Sequence, residues 1–240
     1  MANYKLKGII LKRTNLNEAD RILTIFTDKL GKIKTIAKGI RKQHSHLAGH
    51  LEPFCLTNLV IAKGRNLDII IEAETIECFY DLRNNLKQTN ASYYLSEVID
   101  NFTVEHESHP DIFLLLLNVL NHTNDIKQDL LLAYFELNLL SNVGFLPELY
   151  KCLVCRKKLH PGINYFDYQG GGLVCSGCSK NGQRISDEGV KLLRIMRDKN
   201  LETLKKLKIK PQTILEVTKV IRLYLKHVHD KDLKSQRFLD

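Results

Sequence analysis

The chain has no apolar run long enough to cross a bilayer. Its longest, such as IFLLLL at 112–117, fall far short of the ~20 residues a spanning helix needs. The N-terminus, MANYKLKGII, lacks the apolar segment of a secretory leader. These absences set the expectation of a bacterial-type cytoplasmic protein with no membrane partner. There is no nucleotide-binding P-loop, no pair of catalytic carboxylates at a recognisable spacing and no Ser-His-Asp signature, which disfavours an ATPase or hydrolase and leads us to expect no enzyme. No internal repeat or low-complexity tract occurs. Aromatic residues are sparse in the first eighty positions: Tyr4, Phe26, Phe54, Phe79 and Tyr80. Proteins that grip single strands by stacking need aromatic platforms, so any nucleic-acid contact here should lean on phosphates.

Charge is plentiful and segregated. The net charge is +9 over 240 residues. Residues 1–80 carry 13 basic against 8 acidic side chains, residues 81–150 carry 3 against 10, and residues 151–240 carry 20 against 9. A basic, acidic, basic order suggests polyanion contact at the two ends and a different task for the middle. With 44% hydrophobic residues the chain can also bury a substantial core.

The first section reads as a small β-barrel. Strand-like runs occur at 4–13, 21–27, 32–40, 54–62 and 67–77, separated by turn signals such as Asp28-Lys29-Leu30-Gly31 and Lys63-Gly64-Arg65-Asn66. Five short strands in about eighty residues suit an OB-fold barrel, with an SH3-like barrel as the other closed form the pattern fits. On the third run Lys32, Lys34 and Lys38 share parity, so the pattern predicts a row of ammonium groups on one face, successive like-facing positions lying about 6.6 Å apart. Lys12 and Arg13 end the first strand, Arg21 begins the second, and Lys29, Arg41 and Lys42 fall in turns. These nine residues are the candidate nucleic-acid contacts. The bland alternative is a solvated barrel whose lysines protect its edges. The loop 41–53 carries His44, His46 and His50; without a nearby carboxylate or cysteine pair it reads as a partly cationic loop rather than a metal site.

From residue 81 the apolar period changes to three and four, predicting a helical bundle over 81–150 with boundaries at Pro110 and Gly144. Its acidic charge could repel DNA or meet a basic partner, or simply be solvated. Residues 181–240 supply further helices: one capped by Ser186 with Asp187 and Glu188 in its first turn, and a final amphipathic one over 212–228. Lys205, Lys206, Lys208 and Lys210 lie between them as a second positive cluster or a solubilising surface.

Between the helical sections stands KCLVCRKKLHPGINYFDYQGGGLVCSGC, residues 151–178. Four of the six cysteines fall here as two Cys-x-x-Cys pairs, the other two being Cys55 and Cys78. Each pair places two thiolates on one knuckle of backbone, and the intervening loop brings the second knuckle opposite, which is what tetrahedral zinc requires. Cys152, Cys155, Cys175 and Cys178 are therefore the expected ligands of one structural Zn²⁺. Lys151, Arg156, Lys157 and Lys158 flank the first knuckle and favour the thiolate form; Gly170, Gly171 and Gly172 allow a tight turn into the second. Two disulfides or redox-active pairs fit less well, since a redox Cys-x-x-Cys is normally single and precedes a helix. His50-Leu51-Glu52 raises the zinc-deaminase pattern, but no Pro precedes Cys152 and four cysteines leave no open coordination position.

The order of parts carries a resemblance. KGIILKRTNLNEADRILTIFTDKLGKIKTIAKGIRK, then LEPF, then FELNLLSNVGFLPELYKCLVC, GGLVCSGC and IRLYLKHVHDKDLKSQRFL together resemble the bacterial RecO family of DNA repair and recombination proteins along essentially the whole chain. The resemblance implies an α+β multidomain protein: an N-terminal OB-fold barrel, residues 1–80; a helical domain beginning at 81–150; an inserted four-cysteine zinc module, 151–180; and C-terminal helices, 181–240, that pack with the helical domain. It also implies a non-enzymatic mediator of homologous recombination that binds single- and double-stranded DNA and anneals complementary strands without ATP. With RecR, such a protein helps load RecA on DNA coated by single-strand-binding protein, in a cytoplasmic, nucleoid-associated setting. The family's basic N-terminal segment maps onto Lys12, Arg13, Arg21, Lys29, Lys32, Lys34, Lys38, Arg41 and Lys42, and its tetracysteine set onto Cys152, Cys155, Cys175 and Cys178. The loop after the third strand, usually rich in Arg and Lys in the family, is here partly histidine. A passive zinc-ribbon nucleic-acid-binding or transcription accessory protein is the other reading.

Overall fold

Strand-forming apolar runs let the first strands pair, two of them burying both faces at their centres, and the computed structural model shows them closed on one another. It describes residues 3–80, 82, 85–179, 182–198 and 200–239, which divide into one unit of residues 1–114 with 237–240 and another of residues 115–236.

In the first unit β1 (Asn3–Asn15), β2 (Arg21–Thr27), β3 (Gly31–Ala37), β4 (Cys55–Ala62) and β5 (Asp68–Cys78) form a closed barrel in the order β1-β2-β3-β5-β4. β1 is long enough to serve two neighbours: residues 3–9 pair with β4 and residues 8–15 with β2, with a shift between Ile10 and Lys12 that bends the strand. The barrel closes through the parallel pairs Thr35↔Asp68 and Ile36↔Ile69. Its interior holds Leu6, Ile10, Leu23, Ile25, Ile33, Leu59, Ile61 and Ile70, with Ile40 and Leu51 sealing one end. Truncating a fully buried member such as Leu23 to Ala costs about 2–5 kcal/mol. This is the OB-like barrel that the strand spacing predicts.

The third strand is shorter than its sequence pattern. It ends at Ala37, because the chain turns through Gly39 at φ +65°, whose N–H is held by the Asp20 carboxylate at 2.7 Å. Lys38 therefore lies in a turn, off the strand. Cys55 and Cys78, separated by 23 positions, face each other across β4 and β5 and form a disulfide, with Cα atoms 4.2 Å apart. Spacing alone offers no reason to pair them.

Helix α1 (Leu86–Phe102) begins at an Asn85 cap whose side chain accepts the Lys87 N–H. Its apolar face buries Tyr94, Leu95, Val98 and Ile99. Beyond it, residues 103–107 run beside β3: Lys32 and Glu105 form a parallel bridge, and the His106 N–H donates to the Lys32 carbonyl at 2.9 Å. Gly31 is required there. It sits at φ +62°, and a Cβ would meet the Glu107 carbonyl oxygen at 1.7 Å. α2 (Pro110–Asn121) starts at Pro110, as its sequence predicts.

In the second unit α3 (Gln128–Asn142) is apolar almost all round, burying Leu130 to Leu137 and Leu139–Leu140, and serves as the central helix. α4 (Asp187–Asp198) and α6 (Pro211–His229) pack on it, with the short α5 (Leu201–Lys205) between them. Ser186 caps α4 by accepting the Gly189 N–H at 3.1 Å, and is itself clasped by the Glu216 carboxylate, to which its N–H donates at 2.8 Å. Glu136 is wholly buried and faces Arg222. Three strands of no more than four residues, β6 (Asn164–Asp167), β7 (Gly172–Cys175) and β8 (Gln183–Ile185), form a sheet in the order β7-β6-β8. Among the described residues no helix is long and apolar enough to cross a membrane.

Candidate functional site

The four cysteines of residues 152–178 converge. Each Sγ lies within 4.8 Å of the others, and they are the one cluster of His, Cys, Asp or Glu among the described residues arranged to hold a metal ion. Backbone hydrogen bonds build this arrangement. The Arg156 N–H donates to the Cys152 carbonyl and the Cys152 N–H to the Lys157 carbonyl, both at 2.9 Å, making the first knuckle. The N–H groups of Cys178 and Ser179 both reach the Cys175 carbonyl at 3.0 Å, making the second. Leu153 donates to the Leu173 carbonyl, which ties one knuckle to the other, and Gly171 at φ +68° permits the turn between β6 and β7.

The donor set fits a tetrahedral cation. Metal–thiolate bonds of about 2.3 Å place neighbouring sulfurs about 3.8 Å apart, and Cys155 Sγ lies 3.9 Å from Cys175 Sγ. The thiols differ in acidity. Burial opposes ionisation of Cys152, but N–H donors from Cys175, Cys155 and Val154 outweigh it and bring the thiol down to about 6. Cys178 goes the other way, up to about 12, because Cys175 and Cys155 already draw on its proton. The four sulfurs are suited to a metal ion, whose charge would hold all of them as thiolates. All four positions are sulfur, so a bound metal would have no open coordination position.

The barrel cations fare differently from one another. The row of ammonium groups expected from Lys32, Lys34 and Lys38 is not formed. The Lys32 side chain is 7% exposed, its Nζ donating to the Asp100 carbonyl at 2.5 Å and pairing with the Asp100 carboxylate at 2.9 Å. The cause is Asp100 together with the segment 103–107, which runs beside β3 and bridges it at Lys32. Lys34 pairs with Glu105, which raises its pKa through that hydrogen bond, and Lys38 lies in the turn beyond β3. Arg13 pairs with Glu52, Arg21 donates to the Asn15 side chain at 3.0 Å, and Arg41 donates to the Asn17 carbonyl. Lys12, Lys29, Lys38 and Lys42 are exposed. Part of the acidic middle section thus neutralises the barrel's own lysines.

Barrel aromatics offer little stacking surface. Phe26 and Phe54 are buried, Phe26 against Phe113 and Phe54 against Tyr93. Tyr4 donates to the Asp68 carboxylate at 2.6 Å. Tyr80, 64% exposed, is the open exception. The histidine loop builds no metal site among the described residues: His50 Nδ1 accepts the Thr75 N–H at 3.2 Å, while His44 and His46 are exposed. With Glu52 committed to Arg13, the His50-Leu51-Glu52 triplet is structural.

In the second unit the Lys205–Lys210 cluster is partly neutralised, Lys205 by Asp125 at 2.7 Å and Lys210 by Glu188 at 2.8 Å. Lys151, Arg156, Lys157 and Lys158 are exposed and form no ion pair among the described residues. Sequence reasoning assigns these four only to thiolate support; the signal it overlooks is that no carboxylate stands between Lys151 and Lys158.

Comparison with known proteins agrees with this architecture. The family described as Recombination protein O N terminal matches residues 1–79, and Recombination protein O C terminal matches residues 83–237. DNA repair protein RecO of Dehalococcoides mccartyi (strain CBDB1) is 36% identical over 241 residues, covering 99% of this chain and 95% of that protein. DNA repair protein RecO of Roseiflexus sp. (strain RS-1) is 37% identical, covering 99% and 85%. That of Desulforamulus reducens is 32% identical, covering 100% and 95%.

Proposed function

The chain belongs to the RecO family of DNA repair and recombination proteins, and from that premise we propose that it works without ATP as a strand-annealing and loading factor. The observation that carries this reading is the combination of a cationic OB-like barrel with few exposed aromatics, Tyr80 being the most open in residues 1–80. A protein that holds strands by stacking keeps bases from pairing. One that holds phosphates screens the repulsion between two strands and leaves base edges free.

On this reading residues 1–80 hold single- or double-stranded DNA through the exposed Lys12, Lys29, Lys38 and Lys42, with Arg21 and Arg41 oriented by their side-chain and backbone partners. Residues 151–180 hold one structural Zn²⁺ through Cys152, Cys155, Cys175 and Cys178; when bound, it supplies the charge that keeps four thiolates together and takes no part in a reaction. RecR and single-strand-binding protein are the physical partners and RecA the functional one, in the bacterial cytoplasm. A groove of about 250 Å³ beside α4 supports the second partnership: Leu192, Ile195 and Ile209 line it, and Lys208 stands at its rim, a composition suited to an acidic tail with apolar residues.

The experiment compares annealing of labelled complementary oligonucleotides, without nucleotide, when naked, coated by full-length single-strand-binding protein, or coated by a version lacking its tail. Acceleration on the first two and its loss on the third is the expected result. Binding without acceleration on naked strands would instead favour a passive zinc-ribbon binder.

A further inference from the structure

The first cysteine knuckle spends stability on positive charge in two ways. Lys151 and Lys158 form an isolated antiparallel bridge, so two ammonium-bearing side chains stand directly opposite each other on a narrow hairpin. Like charges at facing positions repel. Among the described residues neither forms an ion pair: Glu148 accepts the N–H groups of Tyr150 and Lys151, at 2.7 and 3.1 Å, and its charge acts on the Lys151 ammonium only through space. The second device is Arg156. The residue after the second cysteine adopts φ +59°, in the left-handed region where glycine is unstrained and a long side chain is not. An arginine stands where the backbone favours Gly, and its guanidinium is exposed at the hairpin tip beside Lys157.

Elsewhere in this unit many cations are matched. Lys191, Arg197, Lys205, Lys210 and Lys226 each sit against a carboxylate. Backbone hydrogen bonds fix the ligand positions, and four thiolates around one divalent cation would leave a net charge of −2, which these four cations exceed. A neutral or glycine-bearing hairpin would close the same site with less strain. The surplus positive charge faces solvent.

We propose that the tip formed by Lys151, Arg156, Lys157 and Lys158 is a second phosphate-binding surface, holding a nucleic-acid strand independently of the barrel. This rests on the DNA-binding reading above and adds to it a separate grip on the second unit, so that each of two strands has its own cationic surface. The phosphate backbone is the better occupant than an acidic peptide. Among the described residues the one exposed large apolar side chain between these cations is Val154, whereas the groove suited to an acidic, apolar tail lies against α4.

The test uses the full chain with its metal. In Lys151→Gln/Arg156→Gln/Lys157→Gln/Lys158→Gln, with metal content equal to wild type by elemental analysis, the slope of log affinity against log salt for a single-stranded oligonucleotide should fall by about 2 to 3, at ~0.7 per phosphate contact. Annealing should slow at least about tenfold by the same loss of screening. A second variant, Arg156→Gly, separates binding from folding: its melting temperature should be equal to or above wild type, while its salt slope falls by about 0.7. A salt slope and annealing rate equal to wild type in both variants would overturn the knuckle as a DNA surface while leaving the barrel reading intact. Wild-type protein that neither binds nor anneals would instead overturn the function proposed above. Normal DNA binding combined with lost capture of an acidic, apolar-ended peptide would reassign the tip to a protein partner and overturn the inference.

Discussion

The barrel and the cysteine knuckle are both rich in basic residues, yet they use them in opposite ways. In the barrel, Lys32 is buried against Asp100, Lys34 meets Glu105 and Arg13 meets Glu52. In the knuckle, Lys151, Arg156, Lys157 and Lys158 are exposed and form no ion pair among the described residues, Glu148 acting on the Lys151 ammonium only through space. Sequence therefore reports how much charge a section holds, and packing decides how much of it reaches solvent. The two regions also differ in what holds them together. The barrel has a closed interior of aliphatic side chains and one disulfide, whereas the knuckle sheet has strands of three and four residues, too short for an independent core.

That contrast predicts a large asymmetry on metal removal. Chelation, or Cys152→Ser with Cys175→Ser, should forfeit metal-linked folding energy on the order of 10 kcal/mol. Residues 150–180 should become protease-sensitive and lose amide-exchange protection while β1–β5 keep theirs. Equal protection in the metal-free protein would break the comparison. The barrel's own crosslink should matter less: reduction of Cys55–Cys78, or Cys55→Ser, removes a closed loop of 23 positions and should lower barrel stability by about 3 kcal/mol, read by denaturant titration. Lys32→Met should cost about 1–3 kcal/mol through the lost Asp100 contacts and leave DNA affinity unchanged at constant salt.

The smallest expected effect concerns His122. Burial pulls its pKa down, but the Glu202 carboxylate at 3.0 Å and the Asn118 carbonyl at 2.8 Å outweigh it, and the net shift is upward. A raised folded value means that stabilisation is fully present below the unfolded value, near pH 6.5, and is lost as pH rises through the folded value. Thermal melts of wild type and Glu202→Gln should thus differ at pH 6 and converge at higher pH, the difference confined to the second unit.

Legibility of the sequence follows the range of the interaction. Strand alternation, the Ser186 cap and the helix start at Pro110 are local, and the structure contains each. The cluster of four cysteines is legible because two short knuckles need only spacing to identify them. The pattern of the third strand overruns its true end because Gly39 turns the chain through a contact with Asp20, nineteen positions away. Lys32 looks exposed in sequence and is buried in the fold because residues 103–107 lie beside β3, which no period reveals. Cys55 and Cys78 meet only through the β4–β5 register, with shifts near Leu56 and Val60 that spacing cannot foresee. The nine candidate DNA contacts thus separate into buried, paired and free cations only in three dimensions.

The central claim is that free cations, rather than all cations, set the grip on DNA. Its most direct test is the salt dependence of single-strand binding in wild type, Lys32→Gln/Lys34→Gln and Lys38→Gln/Lys42→Gln. The second double variant should lower the slope of log affinity against log salt by about 1.4, at ~0.7 per contact, and the first should leave it at the wild-type value. A reduced slope in the Lys32 and Lys34 variant, with the Lys38 and Lys42 variant unchanged, would contradict the account.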